Sequence, residues 1–167
     1  MSDFFRYPAQ ALLYGLFALV VGYFSTSPPY RLLADDQALL RLSLQHAGKL
    51  KADCRQRSAA ELAKMSPNMR TAADCPRERS PVVVRVELDE RPVIDETFAP
   101  AGLSRDGAAA GYRRLPIQAG PHSLRVRVND DARRSDFPYE RKMALDVKPG
   151  QIILIDFRPE LGGILIR

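Results

Sequence analysis

The chain has 167 residues and a formal net charge of +5, and its basic residues are mostly arginine. Basic and acidic residues alternate along the chain instead of forming runs, so nucleic acid is not an expected partner. Tryptophan is absent, which excludes an antibody-type immunoglobulin domain and disfavours a carbohydrate-binding face. Outside the apolar N-terminal segment, about 135 residues are left, enough for one domain with its own hydrophobic core.

One membrane-length apolar segment lies near the N-terminus and has no counterpart later in the chain. Residues 9–25 contain no charged residue, and Gln10 is their only strongly polar one. About 20 helical residues span the roughly 30 Å bilayer core, so the segment predicts one transmembrane helix, which Pro28 and Pro29 are expected to end. The alternative is a cleaved signal peptide. Its best cleavage pattern, residues 25–27, is followed directly by Pro28, which disfavours cleavage.

The predicted helix sets the topology of the whole chain. A short N-terminal tail usually stays in the cytoplasm, and the charges of Arg6 and Arg31 on the two sides of the span differ little. We therefore expect a single-pass protein of a bacterial inner membrane, with its N-terminus in the cytoplasm and its domain in the periplasm. The predicted segments are a cytoplasmic tail (1–8), the transmembrane helix (9–25), a linker (26–37) and the extracytoplasmic domain (38–167).

Small residues line one side of the predicted helix. They fall at spacings of 4, 3 and 4, which places them on one stripe: Ala11, Gly15, Ala18 and Gly22. Two small-xxx-small pairs let a second helix approach closely, so the stripe is a candidate packing surface for a partner helix. The alternative is ordinary composition, because glycine is frequent in membrane helices.

Residues 49–81 form a predicted insertion after the first strand of the domain. Its Ser58-Ala-Ala-Glu61 sequence is a capping-box pattern and predicts a short helix through about Met65. Cys54 and Cys75 are the only 2 cysteines, and an isolated pair in an oxidising compartment most simply forms a disulfide. A redox pair would usually have C-x-x-C spacing, and a zinc site would need further ligands beside the cysteines.

Strand patterns cover the rest of the domain, with apolar alternation at Leu40, Leu42 and Leu44 and again from Val82 onward. The expected strands are 40–46, 82–88, 92–98, 115–118, 122–128, 139–147, 152–155 and 164–166. The stretch 99–111 is rich in Ala and Gly and predicts a loop, whereas 152–155 is apolar on both faces and indicates a central strand. About eight short strands predict an all-β antiparallel, immunoglobulin-like β-sandwich with one short helix in its insertion, preceded by a single N-terminal transmembrane helix.

Residues 115–157 carry turn sequences typical of one class of envelope module. Ala119-Gly120-Pro121-His122 precedes a strand of the form x-Leu-x-Val, and Pro149-Gly150-Gln151 opens the next. This cadence resembles the small β-sandwich modules of bacterial envelope proteins, of the PEGA and related immunoglobulin-like type. The resemblance implies a non-catalytic role as a spacer, a protein-binding domain or an accessory piece of a larger envelope assembly.

No catalytic motif is present in the sequence. A nucleophile needs a positioned base, and neither Gly-x-Ser-x-Gly nor a phosphate-binding Gly-rich loop before a helix occurs. We therefore expect no enzyme activity and no cofactor. A minor hypothesis is copper handling, in which Met65 and Met69 join His46 as ligands of Cu(I). Pro67 breaks the helix that would align the two methionines, which disfavours this site.

Arginines form a predicted basic rim around two long loops of the domain. As a docking surface, this rim would bind an acidic partner in a salt-sensitive manner, and the alternative is that it only keeps the domain soluble. The arginines concerned are Arg113, Arg114, Arg125, Arg127, Arg133 and Arg134.

Two function classes fit these patterns. The first is an accessory or assembly subunit of an inner-membrane complex, respiratory or transport, which contacts a membrane-protein partner through its anchor helix and its β-domain. The second is a stand-alone module that binds an envelope ligand or protein.

Overall fold

The computed structural model describes residues 3–27 and 33–167, which fall into two compact units that divide between Ala34 and Asp35. The first unit is a single helix, α1, over Asp3–Thr26. Within it, Phe5–Thr26 is long and apolar enough to cross a membrane, and none of this span is buried by the rest of the chain. The helix begins six residues before the predicted Ala9, so most of the predicted tail is helical. The expected helix stop at Pro28 and Pro29 lies outside the described residues.

The second unit consists mainly of two four-stranded sheets. We call the first the mixed sheet, with strand order β10-β9-β1-β6, and the second the antiparallel sheet, with order β5-β4-β7-β8. The mixed sheet contains β1 (Gln37–His46), β6 (Ala109–Gln118), β9 (Ile152–Arg158) and β10 (Gly163–Ile166). The antiparallel sheet contains β4 (Val82–Leu88), β5 (Arg91–Phe98), β7 (Gly120–Asn129) and β8 (Tyr139–Val147).

The prediction of a wholly antiparallel fold is wrong at one pair of strands. β1 pairs antiparallel with β6 on one side but parallel with β9 on the other, with Leu40 opposite Ile153 and Leu42 opposite Ile155. Side-chain alternation has a period of two in either direction of the chain, so it identifies the buried face of a strand without indicating the direction of its neighbour.

Both sheets contribute their buried residues to one hydrophobic cluster. The predicted alternation is confirmed in β1, where Leu40, Leu42 and Leu44 are buried, and in β4, where Val84 and Val86 are inaccessible to solvent. Burial of apolar side chains at roughly 25 cal/mol per Å² is the main favourable contribution to folding in a domain of this kind. No residue between 49 and 81 belongs to this cluster, so the two sheets do not depend on the insertion for their core.

Two predictions about individual strands need correction. The predicted loop 99–111 is too long, because β6 already begins at Ala109. Gly111 is required inside that strand, since a Cβ at this position would overlap the ring of Phe98, and a glycine selected for close packing resembles a loop glycine in the sequence. β9 is a central strand as predicted, but Ile152 at its start is 49% exposed.

The insertion forms a small structure of its own. Cys54 and Cys75 are joined in a disulfide, as predicted. The capping box is also confirmed: the Ser58 hydroxyl accepts from the Glu61 N–H, and the Glu61 carboxylate accepts from the Ser58 N–H at 2.7 Å. The helix is shorter than predicted. The elements are α2 (Ala59–Ala63), the paired strands β2 (Arg55–Gln56) and β3 (Ala73–Asp74), and a 3-10 turn at Pro67–Met69.

Reduction of the disulfide is expected to loosen the insertion without unfolding the two sheets. The bond closes a loop with a sequence separation of 21 residues, for which the loop-entropy relation gives about 3 kcal/mol. Limited proteolysis of the full chain with and without dithiothreitol, followed by mass mapping, should show new cleavage confined to residues 55–74. Cleavage that extends into β4 or β7 under the same conditions would contradict the independence of the core, and the Cys54→Ser/Cys75→Ser double variant should reproduce the reduced pattern without reductant.

Candidate interaction surfaces

The small-residue stripe lies on an open surface of α1. A Cβ added at Gly15 or Gly22 would meet no atom within 4 Å, and the side chains from Phe5 to Thr26 are all exposed. Near the end of the helix, the Thr26 hydroxyl donates to the Gly22 carbonyl at 3.3 Å, which satisfies a polar group that would otherwise face lipid. A second helix could therefore reach the backbone of α1 along the stripe without displacing a side chain.

The predicted arginine rim is not brought together as one surface. Five of its six members contact carboxylates, and they lie on several elements. Arg113 on β6 reaches across to Glu96 on β5 at 2.6 Å and lies over the ring of Phe98, where it covers the open edge of the core. Most of the rim therefore has structural ion pairs rather than free charge.

Two of these arginines organise the loop between β7 and β8. Arg133 donates to Asp131 at 2.8 Å and also pairs with Asp53 of the insertion. The Arg133 guanidinium and its backbone N–H lower the pKa of Asp131 to about 2. Arg134 forms a similar local pair with Asp136 at 2.5 Å. These contacts attach the loop to itself and to the insertion, so neither cation is available as an unpaired group.

The outer face of the antiparallel sheet is a self-neutralising array of charges, which we call the charged face. Cross-strand register places Arg85 opposite Asp95 and Glu87 opposite Arg125, but it also places Arg85 opposite Arg127 and Arg125 opposite Lys142. Arg85 bonds Asp95 at 2.9 Å, and Arg127 pairs with Glu87. Phe137 lies under both of these guanidinium groups, at 5.4 Å from Arg85 and 5.2 Å from Arg127. The remaining contacts are Arg125 with Glu140 at 2.9 Å and Arg125 with Glu87 at 3.7 Å.

Arg114 is the exception among the predicted arginines, and the structure places a second arginine opposite it. The register of β1 and β6 makes Arg41 and Arg114 direct cross-strand partners on the outer face of the mixed sheet. Neither forms an ion pair with any carboxylate in residues 3–27 or 33–167. Arg41 was not among the predicted site residues, because alternation shows that it faces outward but only the strand register shows that Arg114 lies opposite it.

His46 takes part in a partly buried pair, where it was predicted as a copper ligand. Its Nε2 lies 3.0 Å from a carboxylate oxygen of the buried Asp130, and its ring packs edge-on against Phe157. Met69 is 61% exposed, and the disulfide leaves no free cysteine thiolate in the described chain. Within that part of the chain, no group of three His, Cys, Asp or Glu side chains is arranged to hold a metal. The site of Met65, Met69 and His46 stays a prediction.

His122 bridges the two sheets through both of its ring nitrogens. Nδ1 lies 2.6 Å from the Asp89 carboxylate in the β4–β5 turn, and Nε2 lies 2.9 Å from the carbonyl of Gln118 at the end of β6. Both partners are acceptors, so the two hydrogen bonds form together only when both ring nitrogens carry a proton, that is, in the protonated ring. The Asp89 hydrogen bond is the main cause that raises the pKa of His122, and burial opposes it.

An apolar groove of about 590 Å³ opens beside this bridge. Its apolar walls come from both sheets, and its polar lining residues are Asp89, Arg91, Gln118 and His122. The apolar lining residues are Leu88, Val93, Leu115, Pro116 and Ile117. The groove is a candidate binding site for a small apolar group.

No known protein family, no curated protein and no solved structure shows significant similarity to this chain. The resemblance of residues 115–157 to PEGA-type modules therefore rests on their turns. Those turns do join strands: Gly120 is the first residue of β7, directly after the turn from β6, and Gly150 lies between β8 and β9, both with positive φ.

The His122 bridge predicts that the domain loses stability as the pH rises. The folded pKa of His122 is raised, so its contribution is complete below the unfolded value of about 6.5 and disappears as the pH rises through the folded value. In His122→Gln the free energy of unfolding should fall by on the order of 1 kcal/mol at acidic pH. The decrease of stability with rising pH, which is the slope to be measured, should vanish in this variant. The measurement is the thermal unfolding midpoint of the full chain in detergent between pH 5 and pH 9.

Asp89→Asn serves as the matched variant, because it removes the carboxylate and leaves the imidazole in place. It should flatten the same slope. An unchanged slope in both variants would show that another group controls the stability in this pH range.

Proposed function

We propose that this chain is a non-catalytic accessory or assembly subunit of a membrane complex, anchored by α1 and exposing its β-domain outside the cytoplasm. The observation that carries the proposal is the apolar span Phe5–Thr26, of which 0% is buried by the rest of the chain. Such a surface needs lipid or another helix to cover it. The host we propose is a respiratory or transport complex of a bacterial inner membrane.

The disulfide supports the proposed side of the membrane. Disulfides persist in oxidising compartments such as the periplasm and are rare in the cytoplasm, and Cys54 and Cys75 are paired. We therefore propose that the N-terminus is cytoplasmic and that the β-domain is periplasmic. The apolar helix and the disulfide are both compatible with this arrangement.

We also propose that the domain is an immunoglobulin-like sandwich in the broad sense. Two four-stranded sheets that contribute to one hydrophobic cluster support this assignment. The parallel pairing of β1 with β9 is a departure from a purely antiparallel arrangement. Domains of this architecture commonly bind other proteins through their faces and loops, which suits an accessory subunit.

A second candidate function is a stand-alone module that binds an envelope ligand. The apolar groove between Leu88 and Ile117 favours it, because a concave apolar site with a few polar groups is typical of ligand binding. The two functions differ in what they require of α1. An accessory subunit needs a specific helix surface, whereas a tethered binding module needs only an anchor.

Replacing Gly15 and Gly22 together with leucine tests the proposal, because the added side chains block close approach along the stripe. Wild-type protein purified from its native membrane in mild detergent should bring a stoichiometric set of membrane subunits, identified by mass spectrometry. The Gly15→Leu/Gly22→Leu variant should recover them at least tenfold less well, which corresponds to about 1.4 kcal/mol.

Ala9→Leu/Val20→Leu is the matched control, since it adds bulk to the same helix away from the stripe. It should retain the partners. Purification of the wild-type chain alone, with α1 intact, would overturn the accessory role and favour the stand-alone module. Full retention of partners by the glycine variant would show that the stripe is not the contact.

A further inference from the structure

We propose that the outer face of the mixed sheet is a docking surface for an acidic segment of the partner protein, anchored by Arg41 and Arg114. This inference rests on the proposed function and specifies the chemistry of the partner. We call these two residues the Arg41–Arg114 pair. They are direct cross-strand neighbours on one face of the sheet, and they point away from the core that Leu40 and Leu42 enter.

Two like charges in this position oppose folding. Side chains that are directly opposite in an antiparallel pair have Cβ atoms about 4.5–5.5 Å apart, and like charges at that separation destabilise the sheet. No carboxylate in the described part of the chain forms an ion pair with either guanidinium. A bound carboxylate between them would remove this repulsion, because each planar guanidinium can donate two parallel hydrogen bonds.

Arg41 also carries an unsatisfied donor. Its Nε is buried and has no hydrogen-bond partner among the described residues, a feature that it shares with Nε of Arg127 on the charged face. Its guanidinium lies over the ring of Tyr112, 5.8 Å from the ring centroid, and Tyr112 itself is 49% exposed. The stacking limits the rotamers of Arg41, so less entropy is lost when it binds an anion.

The nearest carboxylate by register is already bonded to other groups. Asp156 lies opposite Ser43, the next residue of β1 after Arg41 on the same face. Asp156 already accepts from Arg158 at 2.9 Å and from the Phe157 N–H. Next to it the sheet has a depression of about 470 Å³, lined in part by Ser43, Leu154 and Arg158. A partner segment that places a carboxylate on the pair could place a neighbouring side chain in this depression.

The charged face also has two arginines opposite each other, Arg85 and Arg127, but carboxylates compensate that pair, whereas the Arg41–Arg114 pair has none among the described residues. There Arg85, Arg125 and Arg127 each bond a carboxylate on a neighbouring strand. Both faces are sheets that expose arginine, and both would be equally solvated in a protein without a partner. Arginine stacked on an exposed aromatic ring, next to apolar residues such as Ile152, is the composition that dominates binding energy in protein interfaces.

An acidic protein segment suits this site better than an anionic membrane surface. Recruitment to anionic lipid uses clusters of about 4–8 lysines and arginines. The unpaired arginines described on this face are fewer: Arg41 and Arg114 on adjacent strands, and Arg167 beside the depression. Arg41 is half-buried, so a single inserted side chain can reach it more easily than a flat bilayer can. A carboxylate side chain on an extended or helical protein segment can reach the half-buried Arg41 and can pair with a small number of arginines.

The test is co-purification of the full chain from its native membrane in mild detergent, with Arg41→Gln/Arg114→Gln compared with wild type. The variant should recover the partner subunits at least tenfold less well at low salt, and the strong salt dependence of the wild-type interaction should disappear. Its thermal unfolding midpoint should equal or exceed that of wild type, because the repulsion is removed. Arg114→Gln alone, at an exposed position, should weaken recovery in the same direction.

Arg91→Gln/Lys142→Gln is the matched control, because it removes two exposed cations from other strands. It should leave recovery unchanged, and an equal loss in this control would overturn the specific site.

If wild type brings its partners and the Arg41→Gln/Arg114→Gln variant brings them equally well, the docking surface is wrong while the accessory role stands. If the variant keeps its partners but loses binding to vesicles of phosphatidylglycerol, the anion is lipid and the proposal is overturned. Wild type that purifies alone would instead overturn the proposed function.

Discussion

The pairing of β1 with neighbours on both sides is the interaction on which the rest of the domain depends. β1 lies between β6 and β9, and its inner residues, such as Leu40 and Leu42, are among the most completely buried in the core. The adjacent turns are bonded to its start: the Ala119 N–H donates to the carbonyl of Asp36, and the Gly150 N–H to that of Gln37. β1 is therefore both the first strand of the domain and the strand that connects β6 with β9 in the mixed sheet.

The outer faces of the two sheets differ in how their charges are paired. The antiparallel sheet satisfies its outward charges internally, as Arg85 with Asp95 illustrates, and such exposed pairs contribute little to stability individually. The mixed sheet leaves Arg41 opposite Arg114 without a described counter-ion. Proteins retain locally unfavourable arrangements where function requires them. The proposed partner in the membrane would account both for this face and for the apolar helix α1.

Much of the fold follows from the sequence, and the limits have physical causes. Alternation identified Leu40 and its neighbours as buried. The disulfide followed from Cys54 and Cys75 being an isolated pair, and the capping box at Ser58 was recognisable because it acts locally. The direction of β9 relative to β1 has no local signature, since the side-chain period is the same for parallel and antiparallel pairs. The Arg41–Arg114 pair depends on register between strands far apart in sequence. Alternation alone therefore shows that Arg41 faces outward without showing that Arg114 lies opposite it.

The central claim is that one face of the domain meets a partner while the other faces solvent. Site-specific photo-crosslinking in the native membrane tests it directly, with the crosslinker placed at exposed Ser43 on the mixed sheet or at exposed Lys142 on the charged face. This account predicts a discrete crosslinked partner from position 43 and none from position 142. A partner captured from position 142 alone, or from neither position, would contradict it.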